Sequence, residues 1–259
     1  MIYEQLDEAL RANRPVALAT VIEGPNVGAK LLVGPDRDPS GTLGDPDLDR
    51  VVTRDALGEL ASGTTGVRHY GEHGEAREHT VSVFVESFAP QPRMLVFGAV
   101  DFTKALVRVA KVLGYRVTVC DAREVFATRR RFPDADEVVV DWPHRLLERE
   151  GASLGPRDAI CVLTHDHKFD VPAIVAALRT DVGYLGAMGS RRTHAERVAR
   201  LEAEGVAASD IARVMAPIGL DIGSRTPEET AISICAEIIA SRTGRPAPNL
   251  RDATGAIHR

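Results

Sequence analysis

The amino-acid sequence predicts an α/β protein in which a Rossmann-type parallel-sheet domain is preceded by a small α+β domain. Two observations carry this. From residue 94 onward, short runs that are apolar throughout alternate with helical patterns. That is the mark of a parallel sheet covered on both faces by crossover helices. Ahead of it stands Ala89-Pro90-Gln91-Pro92, whose prolines cannot continue a sheet ladder and which reads as a linker. The expected divisions are 1–89, 93–244 and a loose polar tail, 245–259.

The elements follow in order. Residues 1–13 put Ile2, Leu6, Ala9 and Leu10 on one helical face. Runs 16–22 and 29–33, separated by Gly24, Pro25, Asn26 and Gly28, read as strands joined by a turn. Residues 35–40 read as a further turn. Residues 48–60 suit a helix with Asp45 or Asp47 near its cap. Runs 67–70 and 80–88 read as strands around a polar tip, 71–78. In the second domain strands are expected at 94–97, 115–120, 137–140, 159–163 and 182–185. Helices are expected at about 102–113, 143–150, 171–178 and 192–204. A last helix, 228–241, starts from Thr226-Pro227, and Glu229 stands where a capping box needs it.

Composition narrows the function. The net charge of −5 offers no basic field for nucleic acid. No apolar run approaches the ~20 residues that span a bilayer. The opening MIYEQLDEALRANR carries acids and lacks the apolar core of a signal peptide, so the cytoplasm is the expected location. Cys120, Cys161 and Cys235 lie in apolar contexts and are expected as small buried hydrophobes.

Four segments carry candidate chemistry. A dinucleotide-binding loop places G-x-G-x-x-G or A between strand and helix, so that backbone N–H groups approach a pyrophosphate. Here Gly98-Ala99-Val100-Asp101-Phe102-Thr103 keeps Gly98 but has Val100 and Thr103 at the next two glycine positions. An isopropyl group and a carboxylate at Asp101 both oppose pyrophosphate, so NAD(P) is not expected there. Asp121, about 20 residues on, stands where an acid would hold a ribose or cap the next turn. Arg123, Arg129, Arg130 and Arg131 suit either phosphate or a solvated surface.

The second segment is Thr164-His165-Asp166-His167-Lys168, at the carboxyl end of a strand, where open α/β sheets bind ligands. His165, Asp166, His167 and Lys168 are the candidates for proton transfer. With no third ligand identified, the histidines are not read as a metal site. The third is Gly186-Ala187-Met188-Gly189-Ser190-Arg191-Arg192, where Gly186, Gly189, Ser190, Arg191 and Arg192 offer a helix start and two guanidiniums to an anion. The fourth is a loop of defined shape, 216–223, with Gly219, Asp221 and Gly223 as further binding candidates.

Together LTHDHKFD, YLGAMGSRRTHAERV, APIGLDIGSRTPEETAISICAEI and FPDADEVVVDWP resemble the XdhC/CoxI family of accessory proteins for molybdenum hydroxylases. The first domain resembles it more weakly, through ALATVI, GAKLLV and GTLGD. The resemblance implies binding of molybdenum cofactor, help with its sulfuration, and its delivery to a molybdenum hydroxylase apo-enzyme. Two departures stand out. Gly98-Ala99-Val100-Asp101 replaces the family's Gly-Ala-Gly-His, and Asp47 replaces a cysteine in a Gly-Gly-Gly-Cys segment. A thiolate handles sulfur; a carboxylate does not.

The leading expectation is therefore a non-catalytic maturation factor with molybdenum cofactor (molybdopterin) as ligand and a molybdenum hydroxylase as partner. A nicotinamide-dependent oxidoreductase and a diverged interaction protein that has lost its ligand are the alternatives. The first domain could also pair with another chain to form a homo-oligomer. No nucleic acid or membrane partner is expected.

Overall fold

The computed structural model describes residues 2–35, 37–76, 78–164 and 166–254. The chain forms two compact units, Met1–Pro90 and Gln91–Arg259. The first contains helix α1 (Ile2–Arg11), strands β1 (Val16–Glu23), β2 (Lys30–Gly34) and β3 (Arg37–Thr42), helix α2 (Pro46–Ser62), and strands β4 (Gly66–Tyr70) and β5 (Val81–Phe88). Its sheet runs β3-β2-β1-β5-β4, antiparallel throughout.

Strand β1 shows why this unit folds. Successive side chains of a strand point to opposite faces. Val16 and Leu18 pack with Ala9 of α1. Ala17, Ala19 and Val21 pack with Leu48, Val52, Ala56 and Leu60 of α2. The sheet is thus buried on both faces, one under each helix. Asp45 caps α2, its side chain accepting the N–H groups of Asp47 and Leu48, and Pro46 fills the first helical position. Asp47 sits in the first turn, 66% exposed and paired with Arg50.

The 35–40 segment departs from its expected turn. Strand β3 covers most of it and pairs with β2 through Lys30↔Thr42, Leu31↔Gly41 and Leu32↔Ser40. It is an edge strand, so it needs only one ladder and tolerates Pro39. Its composition, RDPSGT, has none of the apolar alternation that marks a covered strand.

The second unit contains β6 (Arg93–Phe97), α3 (Asp101–Val112), β7 (Arg116–Cys120), β8 (Glu137–Val139), α4 (Pro143–Glu150), β9 (Ala159–Val162), α5 (His167–Ala177), β10 (Tyr184–Ala187), α6 (Arg191–Ala203), α7 (Ala208–Ile211), β11 (Val214–Met215) and α8 (Pro227–Thr243). The six strands run in the order β11-β10-β9-β6-β7-β8, all parallel. Met94 and Val96 join α3 and α8 on one face. Leu95 and Phe97 join α4, α5 and α6 on the other. Helices on both faces explain why these strands read as unbroken apolar runs.

Two elements, α7 and β11, lie outside the sequence expectations because both are short and β11 is an edge. Helix α5 begins at His167, not at 171. Asp166 supplies the cap by accepting the Lys168 N–H at 3.0 Å, and Pro172 lies inside the helix. The strand order reverses between β6 and β9, and open α/β sheets bind ligands in the crevice at that switch point.

Candidate functional site

At the carboxyl end of β6 the chain turns at Gly98, with φ of 113°. A Cβ there would lie 2.7 Å from Thr164 Cγ2 and 2.9 Å from the Thr164 nitrogen. This glycine serves the close approach of two strand ends. Val100 follows as the cap of α3 without a side-chain hydrogen bond, and packs partly on the inner cluster. Its isopropyl group therefore lies partly against the core, whereas the sequence placed it on the ligand path. Asp101 is 92% exposed in the first turn of α3, where a carboxylate already complements the helix dipole. Arg131 Nη1 donates to the Ala99 carbonyl at 2.9 Å and ties the loop down.

Asp121 ends β7 and is 3% exposed. Its Oδ2 accepts the Ala99 N–H at 2.8 Å and Arg123 Nη2 at 2.7 Å. Its Oδ1 accepts the Arg123 N–H and Nε, each at 2.9 Å. Burial raises the carboxyl pKa, but the Arg123 guanidinium and the two backbone N–H groups outweigh it and hold the group below its ordinary value. Both oxygens are engaged inside the protein, so the carboxylate works as a structural clamp rather than facing a ribose.

His165 lies outside the described residues. Asp166 is occupied as the α5 cap, and His167 and Lys168 are exposed beside it. Phe169 turns inward against Trp142, with ring centroids 4.8 Å apart.

The carboxyl end of β10 is more open. Met188 N–H donates to the Val162 carbonyl at 2.8 Å, which keeps β9 and β10 in register past their formal ends. Gly189 then adopts φ of 143°, and Ser190 caps α6 by accepting the Thr193 N–H at 3.1 Å. A cavity of about 460 Å³ opens here, lined by Phe102, Met188, Gly189, Ser190, Thr193, Ile218 and Thr230. The first N–H groups of a helix have no carbonyl behind them, so they are free to meet an anion.

Among the predicted residues, Gly189 and Ser190 line this cavity. Gly186 lies beneath it: a Cβ would fall 2.5 Å from Ile218 and 2.7 Å from the Tyr184 hydroxyl. Gly219 shapes the loop above, donating its N–H to Glu237 Oε2 at 2.8 Å while the Tyr184 hydroxyl donates to the same carboxylate. Asp221, Gly223 and Arg191 are exposed, and Arg192 Nε reaches Glu196 at 3.1 Å. A second cavity, about 440 Å³, lies between α4 and α5 along Leu147, Val171 and Val175, and none of the predicted residues line it.

The sequence reading missed what lies under Gly189. Arg197 is 3% exposed, and its Nη2 donates to Asp170 Oδ2 at 3.1 Å and to the Met188 carbonyl at 2.7 Å. That same Nη2 is 3.5 Å from where a Gly189 Cβ would stand. Arg197 Nη1, Asp170 Oδ1, Thr164 Oγ1 and His194 Nδ1 are buried without a hydrogen-bond partner among the described residues. Burial pushes the Asp170 carboxyl up to about 6, against the pull of Arg197. Helical spacing held the signal. Asp170 lies in one stripe with Ala173, Ile174 and Ala177, and Arg197 lies four residues before Leu201, all buried.

Two family models match the chain. The one described as the XdhC Rossmann domain covers residues 94–238, and the one described as the XdhC and CoxI family covers residues 9–71. The chain belongs to the XdhC/CoxI family. The Rossmann match takes in both strand-end loops and the whole of α6. Among XdhC/CoxI relatives, the chain is 33% identical over 165 residues to a Bacillus subtilis protein named as a probable xanthine dehydrogenase subunit. That alignment spans 64% of this chain and 47% of the relative. It is 26% identical over 159 residues to the Escherichia coli protein named molybdenum cofactor insertion chaperone PaoD, spanning 61% of this chain and 43% of PaoD. The chain thus matches less than half the length of either relative. A crystal structure titled as a xanthine dehydrogenase from Bacillus halodurans shares the fold, with a TM-score of 0.56 at 22% identity over 95% of this chain and 97% of that one. Among the described residues, no helix is long and apolar enough to cross a membrane.

Proposed function

We propose that this protein is a maturation factor for a molybdenum hydroxylase, carrying molybdenum cofactor as cargo and handing it to the apo-enzyme. The names of two relatives, the insertion chaperone PaoD and the probable xanthine dehydrogenase component of Bacillus subtilis, support the role. The observation that carries the binding site is the cavity at the start of α6, where Gly189, Ser190 and Thr193 line about 460 Å³ of open space. These groups suit the phosphate end of a pterin cofactor, because a helix N-terminus favours negative charge. Beneath Gly189 lies Arg197, whose buried Nη1 has no hydrogen-bond partner among the described residues.

The same residues define limits on the role. Asp47, exposed in the first turn of α2, offers a carboxylate where the family resemblance implies a thiolate, so cargo binding is separated from sulfur handling at that position. The nicotinamide reading loses its ribose acid, because Asp121 is filled by Ala99 and Arg123.

Native mass spectrometry of the chain produced in a molybdopterin-making host tests the proposal. A bound pterin phosphate is expected, and Gly189→Val should lose it. Any side chain at φ of 143° is strained, and a Cβ there already comes within 3.1 Å of Thr193. Protein that emerges without pterin, or a folded Gly189→Val protein that retains it, overturns this reading.

A further inference from the structure

The pair beneath the cavity floor has an unusual construction. Asp170 on α5 and Arg197 on α6 are both almost fully buried, yet they share a single contact, Nη2 to Oδ2 at 3.1 Å. Among the described residues, each keeps one buried polar atom without a partner, Oδ1 on the acid and Nη1 on the base. A buried ion pair normally needs its remaining donors and acceptors filled to offset desolvation. Here they are not. The guanidinium also holds the Met188 carbonyl and lies directly under Gly189, so it spans the distance between Asp170 and the start of α6.

We propose that this pair couples anion binding at the α6 start to proton uptake: when an oxyanion settles over Gly189 it competes with Asp170 for Arg197, and Asp170 takes a proton. The proposal rests on the anion site proposed above and adds its regulation. The ligand class is a tetrahedral oxyanion, such as the phosphate monoester end of a larger molecule.

The charges around Asp170 support this. Arg197 faces it from α6, and Asp166 acts on it from α5 itself, raising its pKa. His194, also on α6, has its own pKa lowered by burial and by Arg197. Strands β9 and β10 bring no charged side chain. Helix α4 meets α5 through His144 and Glu148, which line the other cavity with Val171 and Val175. Among the described residues, Arg197 is thus the one cation holding Asp170 ionised. The carboxyl titrates at about 6 before any ligand arrives, so a modest added negative charge moves it across neutral pH. An anion above Gly189 stands close enough for an effect on the order of one pKa unit at intermediate dielectric.

The sign follows. Below about pH 6 Asp170 is already neutral, and the anion meets the field of an Arg197 that no ionised Asp170 offsets. As pH rises the proton must be supplied on binding, and affinity falls. Above the bound-state pKa both states are ionised and affinity levels off.

The test uses sulfate, whose two charges stay constant between about pH 5 and 8. Calorimetric titration of the full chain, in paired buffers of different ionisation enthalpy, reads the protons taken up per sulfate. Uptake is expected to peak between about pH 6 and 7, with affinity about tenfold weaker at pH 8 than at about pH 5.5. Asp170→Asn should bind at every pH as the unmodified protein does at low pH, with no uptake, and His194→Gln should keep the uptake. Sulfate binding without pH dependence or proton uptake in the unmodified chain overturns the coupling and leaves the anion site standing. Uptake lost in His194→Gln and kept in Asp170→Asn also overturns it. No sulfate binding at any pH removes the anion site as well.

Discussion

Asp121 accepts four hydrogen bonds, from the Ala99 and Arg123 N–H groups and twice from the Arg123 guanidinium. Replacing one oxygen by an amide in Asp121→Asn turns acceptors into donors at a buried site, and should cost on the order of 2 kcal/mol in chemical denaturation at about pH 7. The depressed pKa gives the pH sign. The contribution of Asp121 is present above the ordinary carboxylate range and is lost as pH falls through its lower folded value. The gap between parent and variant should therefore narrow in acid; a constant gap from about pH 7 to about pH 3 would sink the clamp. The three thiols make the opposite case. Burial pushes Cys120 and Cys235 up to about 12 and raises Cys161 well above its ordinary value. A thiol reagent at neutral pH should label native protein slowly and unfolded protein at all three positions, with Asp47→Cys labelling fast as the comparison. Rapid native labelling would return sulfur transfer to one of these cysteines. At this scale the sequence was legible for the cysteines, whose neighbours are apolar, and illegible for Arg197 and Asp170. A charged residue is read as solvated unless its partner is known, and these partners are 27 residues apart.

The loop between β6 and α3 shows how an element can keep its shape while changing its use. Gly98 still makes the turn, but the Asp121 clamp takes the Ala99 N–H that a pyrophosphate would meet, and Arg131 holds the Ala99 carbonyl. Calorimetric titration with NAD(H) or NADP(H) should show no binding at physiological concentration, and a micromolar dissociation constant for either would refute this account. The two loops on either side of the sheet's reversal thus differ in kind, one closed by the protein's own side chains and one open onto a cavity. The sequence placed both loops correctly, because glycine at a strand end is a strong local signal. Arg191 and Arg192, which it also named, are exposed at the helix start. It also missed β3, because an edge strand with one ladder need not carry an apolar pattern.

For the whole molecule, the division into two units was visible in the prolines at 90 and 92, and the parallel sheet in strands that are apolar on both faces. What lay beyond the sequence was which helix shares which face. Helix α8 reads from the sequence only as a last helix, yet its Ala231, Ile234, Cys235 and Ile238 share a cluster with Ala105, Leu106 and Ala110 of α3, more than a hundred residues earlier. This bears on the order of folding. Strands β6, β7 and β8 come from one contiguous stretch and β9, β10 and β11 from the next, and the β6–β9 ladder joins the two halves. Each half can assemble through short-range contacts, which form quickly, whereas the union of α8 with α3 closes a long loop and forms slowly. During synthesis the part of α3 that α8 covers stays bare until Ile238 has left the ribosome, and in that interval the nascent chain is exposed to aggregation.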